Sequence, residues 1–483
     1  MHDDLTFVIE PYLYWTLSAV LVALLFTLVL HAVELDHPHA LGTKARPDLS
    51  EPKDAIPLLG HTLLFLRNSH RLSEYGKAWS MWRKITSRAF TVNSYRNVVS
   101  VSIHHFTKLF IRILEAKATE GTASDLSPLL FALALDTFTS MSFSEDPASL
   151  PAAARGETNA FAQAFDDIPV LLARRISMPF FWLIERFDGT SRRIVDDMKI
   201  IHAYADQIIR QRAEKAQQLA EDGSLDMLGR YMAATKENGE PLTTAQLRDA
   251  TINLLIAGRD TTAGTLAWTI FELCRNPVLV EGIRRDAAKL DDPTELPFDL
   301  LKEMNWTSGV FYEGARLYPT VPNNHWTARG EDQIPNGPSI EAGDLIVWSD
   351  WTIARDPAVW GPSAGAFDPT RWLNQDGTFR KDSRLHSFNG GFRRCLGKQL
   401  FLLPSSSPPF SAGAVERSPF CETLAHFEAV ATLLALFSRF DVSYAPGYLE
   451  STPMVKTEWC EHESPRYRPA LTLPMVRSIP YIA

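Results

Sequence analysis

The chain has 483 residues, 45% of them hydrophobic, and carries a formal charge of −9 with a pI near 5.8. That length can bury a large core in one big domain or a few smaller ones, and the acidic balance gives no reason to expect nucleic acid as a partner. Four cysteines, Cys274, Cys395, Cys421 and Cys460, show no CxxC or metal-finger spacing, so neither a disulfide framework nor a zinc site is indicated.

From Pro11 to Val33 no residue is charged, and Glu10 and Glu34 bracket the run. It is long enough to cross a bilayer as a helix, with Tyr12, Tyr14 and Trp15 placed as an interfacial belt. MHDD in front of it lacks Lys and Arg, whereas Lys44, Arg46 and Lys53 follow it, which puts the bulk of the chain on the cytosolic side. A cleaved signal peptide would need a basic start and a shorter apolar run. Residues 1–34 therefore read as a retained single-pass anchor, in the endoplasmic reticulum, and cytosolic exposure keeps the thiols reduced. Pro47, Pro52 and Pro57 stiffen the linker of residues 35–60.

Residues 91–240 read as mostly helical, with strongly apolar and aromatic stretches at Phe161–Arg175 and Ser177–Phe187. Thr243-x-x-Gln246 makes a capping box for a helix that ends at Asn276-Pro277. In its middle, Ala257-Gly258-Arg259-Asp260-Thr261-Thr262 sets an acid beside an alcohol at a site of small residues, among apolar flanks such as Leu255 and Trp268. Ala257 and Gly258 leave room for something flat. The Thr261 hydroxyl can hydrogen-bond a small oxygen ligand, and Asp260 can feed protons through water. Glu313 and Arg316 stand at i, i+3 on one helix face, a spacing at which they can pair. Asp344–Trp351 alternates like a strand.

Next comes Phe388-Asn389-Gly390-Gly391-Phe392-Arg393-Arg394-Cys395-Leu396-Gly397, a glycine-flanked loop presenting one cysteine. The glycines let backbone approach a flat macrocycle, and loop N–H groups would stabilise a thiolate. Lone cysteines are commonly buried small hydrophobes, but here the spacing FxxGxRxCxG decides otherwise. A match at Phe388, Gly391, Arg393, Cys395 and Gly397 arises by chance about once in ten thousand such chains.

This loop, AGRDTT, YEGARLYP, Phe367–Trp372 and Trp79-x-x-x-Arg83 occur in the order found in the cytochrome P-450 family, and the chain resembles its eukaryotic membrane-bound type. The AGRDTT and FNGG spellings are similar to the fungal and plant fatty-acid or alkane hydroxylases. The resemblance implies a mainly α fold with small β-sheets, one haem-binding domain over 61–483 behind the anchor, and haem b with Cys395 as the axial iron ligand. It places Arg393, Trp79 and Arg83 at the haem propionates, Phe388, Gly391, Gly397, Ala257 and Gly258 along the cofactor, and Asp260 and Thr261 in distal proton delivery. Glu313, Arg316 and Arg371 become a structural charge triad. The implied reaction inserts one oxygen atom from O2 into a C–H bond of an apolar substrate, with electrons from an NADPH-dependent flavoprotein reductase at the membrane. A secondary-metabolite (terpenoid or polyketide) hydroxylase and a non-functional haem binder are the alternatives; intact Asp260-Thr261 argues against an isomerase or dehydratase.

Three departures stand out. The front is several dozen residues short between Gly60 and Trp79, and Trp326 stands where relatives commonly have a propionate-binding arginine. Prolines 404, 408 and 409 break the helix after Cys395, and setting Phe401–Leu424 aside joins Leu400 to Ala425 as one amphipathic helix. The Ser/Pro-rich piece reads as an unspliced intron, the short front as a skipped exon; a surface loop is the plainer alternative.

Overall fold

The computed structural model describes residues 95–214, 226–234, 240–390 and 424–451, except positions 122, 123, 158, 178–180 and 336. It also describes Arg83, Ile85, Thr86, Arg394, Cys395 and residues 454–455, 464–465 and 480–482. The anchor, the linker, the short front, Trp79, Gly391, Arg393, Gly397 and residues 401–423 lie outside the described residues.

Helices dominate: α1 (Ser100–Glu120), α2 (Leu126–Phe143), α3 (Ser149–Ala154), α4 (Ala160–Ser177), α5 (Phe181–Asp188), α6 (Thr190–Glu214), α7 (Met227–Ala233), α8 (Thr244–Arg275), α9 (Val280–Ala287), α10 (Asn305–Leu317), α11 (Asp350–Arg355) and α12 (Leu424–Arg439). The strands are short: β1 (Ser124–Asp125), β2 (Asn323–Thr327), β3 (Asp332–Gln333), β4 (Ser339–Ile340), β5 (Leu345–Ser349), β6 (Ser443–Tyr444), β7 (Met454–Val455), β8 (Ser464–Pro465) and β9 (Pro480–Ile482). They form a three-stranded sheet ordered β1-β9-β6 and the pairs β2-β5, β3-β4 and β7-β8. In the three-stranded sheet Ser124 stands opposite Tyr481, which stands opposite Tyr444 on its other side. The mainly α fold with small sheets expected from the sequence is what is observed.

The described chain divides into two compact units. The smaller holds Ala173–Asp188 and Thr327–Leu345. Within it Arg175 clamps the buried Glu185 by two nitrogens, at 2.8 and 2.6 Å, and lies over the Phe181 ring. All the site residues discussed below belong to the larger unit.

Helix α8 is its axis. Thr243 and Gln246 close the capping box reciprocally, at 3.3 and 3.0 Å, so two otherwise orphaned N–H groups are satisfied where the helix starts. Pro277, which has no N–H to donate, follows its last cap. Against it lies α2, apolar on nearly every face and N-capped by Asp125. Among the described residues α2 alone is long and apolar enough to cross a membrane, but 78% of it is buried inside the fold. It is a core helix. At the α2–α8 crossing a Cβ on Gly258 would come within 2.0 Å of the Phe138 ring, and at the α8–α10 crossing one on Gly314 would meet Thr269 Oγ1 at 2.0 Å. Both glycines exist so that helices can touch.

Helix α12 supplies the other half of the core, with Phe427, Val430, Leu433, Leu434 and Leu436 fully buried. Its described part runs from Leu424 to Arg439. The strand expected over Asp344–Trp351 stops at Ser349, because Ser349 Oγ accepts the Thr352 N–H and caps α11.

Candidate functional site

Cys395 is exposed and is not in a disulfide. Its own N–H donates to the Phe388 carbonyl at 2.8 Å, closing the loop on itself. Asn389 takes a left-handed backbone, φ 57°, with its N–H on the His386 carbonyl. Asn tolerates that region better than most side chains. The Arg83 guanidinium reaches across to donate to the carbonyl of Arg394 at 2.7 Å. Of the residues expected around the cofactor, this contact brings Arg83 to the peptide preceding Cys395.

The start of the loop is braced from two sides. Ser387 donates to the Ala315 carbonyl of α10 at 2.6 Å. Asp350, buried, takes the Asn324 amide on one oxygen at 2.9 Å and lies 2.9 Å from His386 Nδ1 on the other. The Trp348 indole N–H sits 3.2 Å from that same nitrogen, so it donates to Asp350 when protonated and accepts from Trp348 when not. Trp326, the departure noted above, packs edge-on against Trp348 at 5.4 Å. None of this brace was visible in the sequence, since Asp350, Asn324 and His386 carry no motif of their own.

On α8, Ala257 is exposed and Thr261 half-buried, while Leu255, Gly258, Arg259, Asp260 and Thr262 are buried. An accessible stripe thus runs along a helix that is otherwise inside. The Thr261 hydroxyl donates to the Ala257 carbonyl at 2.7 Å, and Thr265 and Thr269 repeat the pattern one and two turns on. Gly258 is buried off this stripe, and its missing side chain makes room for Phe138.

Asp260 sits inside, beside Arg259. Burial pushes its carboxyl up to about 6; the Arg259 cation pulls it back and the Asp166 charge adds to the rise. Arg259, 3% exposed, lies 2.9 Å from Asp260 and 2.7 Å from Asp166 of α4, both through Nη1, with its guanidinium 4.9 Å from the Phe131 ring and 5.6 Å from Phe165.

Glu313 and Arg316 are both fully buried and joined by two bonds of 2.7 and 2.8 Å. Arg316 also donates to the carbonyls of Ala354, Ala364 and Ala366. Arg371 Nε stands 3.4 Å from Glu313, whose oxygens further accept the Asp368 N–H and the Trp372 indole N–H. All three members of the charge group are therefore together, and Glu313 is surrounded by donors.

Comparison with known proteins agrees with these features. The family model for cytochrome P-450 matches residues 50–403. A cytochrome P-450 monooxygenase, cyp1, of Mycosarcoma maydis is 34% identical over 340 residues, covering 67% of this chain and 53% of that protein. Cytochrome P-450 86B1 of Arabidopsis thaliana is 27% identical over 406 residues, 80% of the chain and 68% of the relative. Cytochrome P-450 94A1 of Vicia sativa is 28% identical over 341 residues, 67% of the chain and 64% of the relative. The aligned chain spans about half the length of the first of these and about two thirds of the others.

Proposed function

The chain belongs to the cytochrome P-450 family, and on that premise we propose that it is a haem-thiolate monooxygenase placing one oxygen atom from O2 into a C–H bond of an apolar lipid. The observation that carries this reading is the exposed Cys395 thiol on a loop closed by its own amide and braced by Arg83. The residues present fit a haem. An accessible soft donor is what a thiolate-ligated iron needs, and Cys395 is the exposed cysteine among the described residues; the α8 stripe of Ala257 and Thr261 offers a smooth helix face with one hydroxyl.

A haem held by Cys395 would supply reductive activation of O2, which a thiolate ligand favours. Cys395 would hold the iron. Arg83, through the Arg394 carbonyl, fixes the peptide just before it. Arg393, Trp79, Phe388, Gly391 and Gly397 complete the cradle in this proposal, as the motif match implies. Thr261 can turn its hydroxyl hydrogen from the Ala257 carbonyl toward the accessible stripe by rotation about the Cβ–Oγ bond. Asp260, with a carboxyl near 6, carries a proton on a useful fraction of molecules at neutral pH and gives it up readily.

An apolar lipid substrate is favoured by the AGRDTT and FNGG spellings, similar to fungal and plant fatty-acid or alkane hydroxylases, and relatives from a fungus and two plants accord with it. Electrons would come from an NADPH-dependent flavoprotein reductase in the same membrane, with residues 11–33 as the anchor in the endoplasmic reticulum. Residues 401–424 we read as an insertion, because setting them aside joins Leu400 to Ala425 in one amphipathic pattern and the family match ends at residue 403. Sequencing the transcript checks that point; a spliced message with this frame contradicts it.

The test is turnover in membranes containing the full chain and reductase, with NADPH, isotopically labelled O2 and a panel of long-chain acids, alkanes, terpenoids and polyketides. A hydroxylated acid or alkane bearing one labelled oxygen is expected. Label confined to terpenoid or polyketide products overturns the substrate class, and label in no product overturns the activity.

A further inference from the structure

The Arg259 cation is an odd tenant for the middle of a core helix. A buried guanidinium costs several kcal/mol of desolvation unless fully paired, yet one of its nitrogens, Nη1, serves two carboxylates while its Nε has no hydrogen-bond partner. The two acids differ in kind. Asp260 has a side chain 6% exposed, on α8 beside Thr261; Asp166 has one 56% exposed, on α4. Arg259 is thus the link between bulk water and the buried acid of the acid–alcohol pair. The Phe131 and Phe165 rings pack against the guanidinium, with their centroids 4.9 and 5.6 Å from it.

From this geometry we propose that Arg259 and Asp166 are positioning residues for proton delivery: their pair holds the guanidinium partly off Asp260, so that its carboxyl can take a proton from water on the α4 side and release it on the Thr261 side. The inference rests on the monooxygenase reading. In each cycle Asp260 gains one proton from water and loses one toward the site, returning unchanged, so nothing else is consumed.

Other charged groups near this stretch are committed elsewhere. Asp136 of α2 accepts the N–H groups of Ser149 and Leu150, Asp167 of α4 pairs with Arg193, and Asp206 of α6 pairs with Arg248. Phe131 and Phe138 are what α2 brings to the same turn of α8. Asp260 therefore answers chiefly to two charges, an attractive one in Arg259 and a repulsive one in Asp166.

The experiment uses the haem-loaded full chain with Asp166→Asn, Arg259→Gln and Arg259→Lys. Difference infrared spectroscopy follows the carboxyl band lost in Asp260→Asn, independently of turnover. In Asp166→Asn the guanidinium belongs to Asp260 alone, so the titration midpoint should fall by about one pH unit, and in Arg259→Gln it should rise by about one or more. In turnover, Asp166→Asn should move the pH profile down and raise the peroxide share of consumed NADPH several-fold, while Arg259→Lys restores most of the coupling lost in Arg259→Gln. An Asp260 midpoint unmoved by Asp166→Asn, or a moved midpoint with unchanged coupling, overturns the proposal. Loss of the thiolate reading instead shows in the unmutated protein, as the absence of a thiolate-type carbon monoxide spectrum. The infrared midpoints then still decide whether Arg259 and Asp166 govern Asp260.

Discussion

Two arginine–carboxylate clusters in the larger unit use the same chemistry to opposite ends. Around Glu313, both partners are fully buried, Arg316 makes five hydrogen bonds, and Glu313 accepts from Arg316, Asp368 and Trp372. Around Asp260, one nitrogen of Arg259 is divided between two acids, one of them facing water. Full use of the Arg316 donors makes the first a fixed joint between α10 and the Phe367–Trp372 segment, even though Arg371 Nε beside it makes no hydrogen bond. Incomplete pairing leaves the second as the cluster to which we assign proton delivery. Burial alone does not tell Arg316 from Arg259; the use each makes of its donors does.

Breaking the fixed joint has the largest expected effect. Arg316→Ala strands the Glu313 charge in the core, at a cost of about 3–5 kcal/mol, so soluble holoprotein should be lost or its urea midpoint should collapse. A variant that denatures normally would mean that Glu313 finds other cations. Thr261→Ala comes next. Folding and haem binding should persist, since the hydroxyl now meets only the Ala257 carbonyl, but product per NADPH should fall about tenfold or more as peroxide is released. Unchanged coupling would take Thr261 out of the mechanism.

How much of this was legible beforehand follows the range of each interaction. The capping box of α8, the acid–alcohol pair and the Glu313/Arg316 spacing are all written within four residues, and a local pattern suffices to find them. Arg83 on the Arg394 carbonyl spans 311 positions, and Asp166 on Arg259 spans nearly a hundred. No periodicity states which helix faces which. Gly258 shows the same limit from the other side, because its smallness was plain but the ring that requires it, Phe138, belongs to α2. The Cys395 loop was singled out by spacing alone, whereas the brace of Asn324, Asp350 and His386 behind it depends on the path of the intervening strands.

A subtler contrast concerns pH. Burial raises the carboxyl of Glu428 on α12 to about 8 and that of Asp136 to about 6. An acid raised in the folded state stays protonated there while the unfolded chain ionises, so its stabilising share is complete below the unfolded value and lost as pH rises through the folded one. Stability should therefore decline between about pH 4.5 and 8 by up to a few kcal/mol on account of Glu428. Glu428→Gln should flatten the upper part of that slope in denaturation measured at several pH values. A slope unchanged by the substitution would assign it to other groups. Smallest of all, Asp166→Asn should change stability by less than about 1 kcal/mol, the exposed arm of a pair being weakly held. A larger loss would move the Asp260 cluster toward the structural kind.

The central claim is thiolate ligation by Cys395, and the reduced, carbon monoxide-bound difference spectrum of the purified full chain measures it most directly. A thiolate-type Soret band, abolished in Cys395→Ser, is the expected result. A band of the imidazole type in the unmutated chain, or a thiolate band that survives Cys395→Ser, would contradict the account.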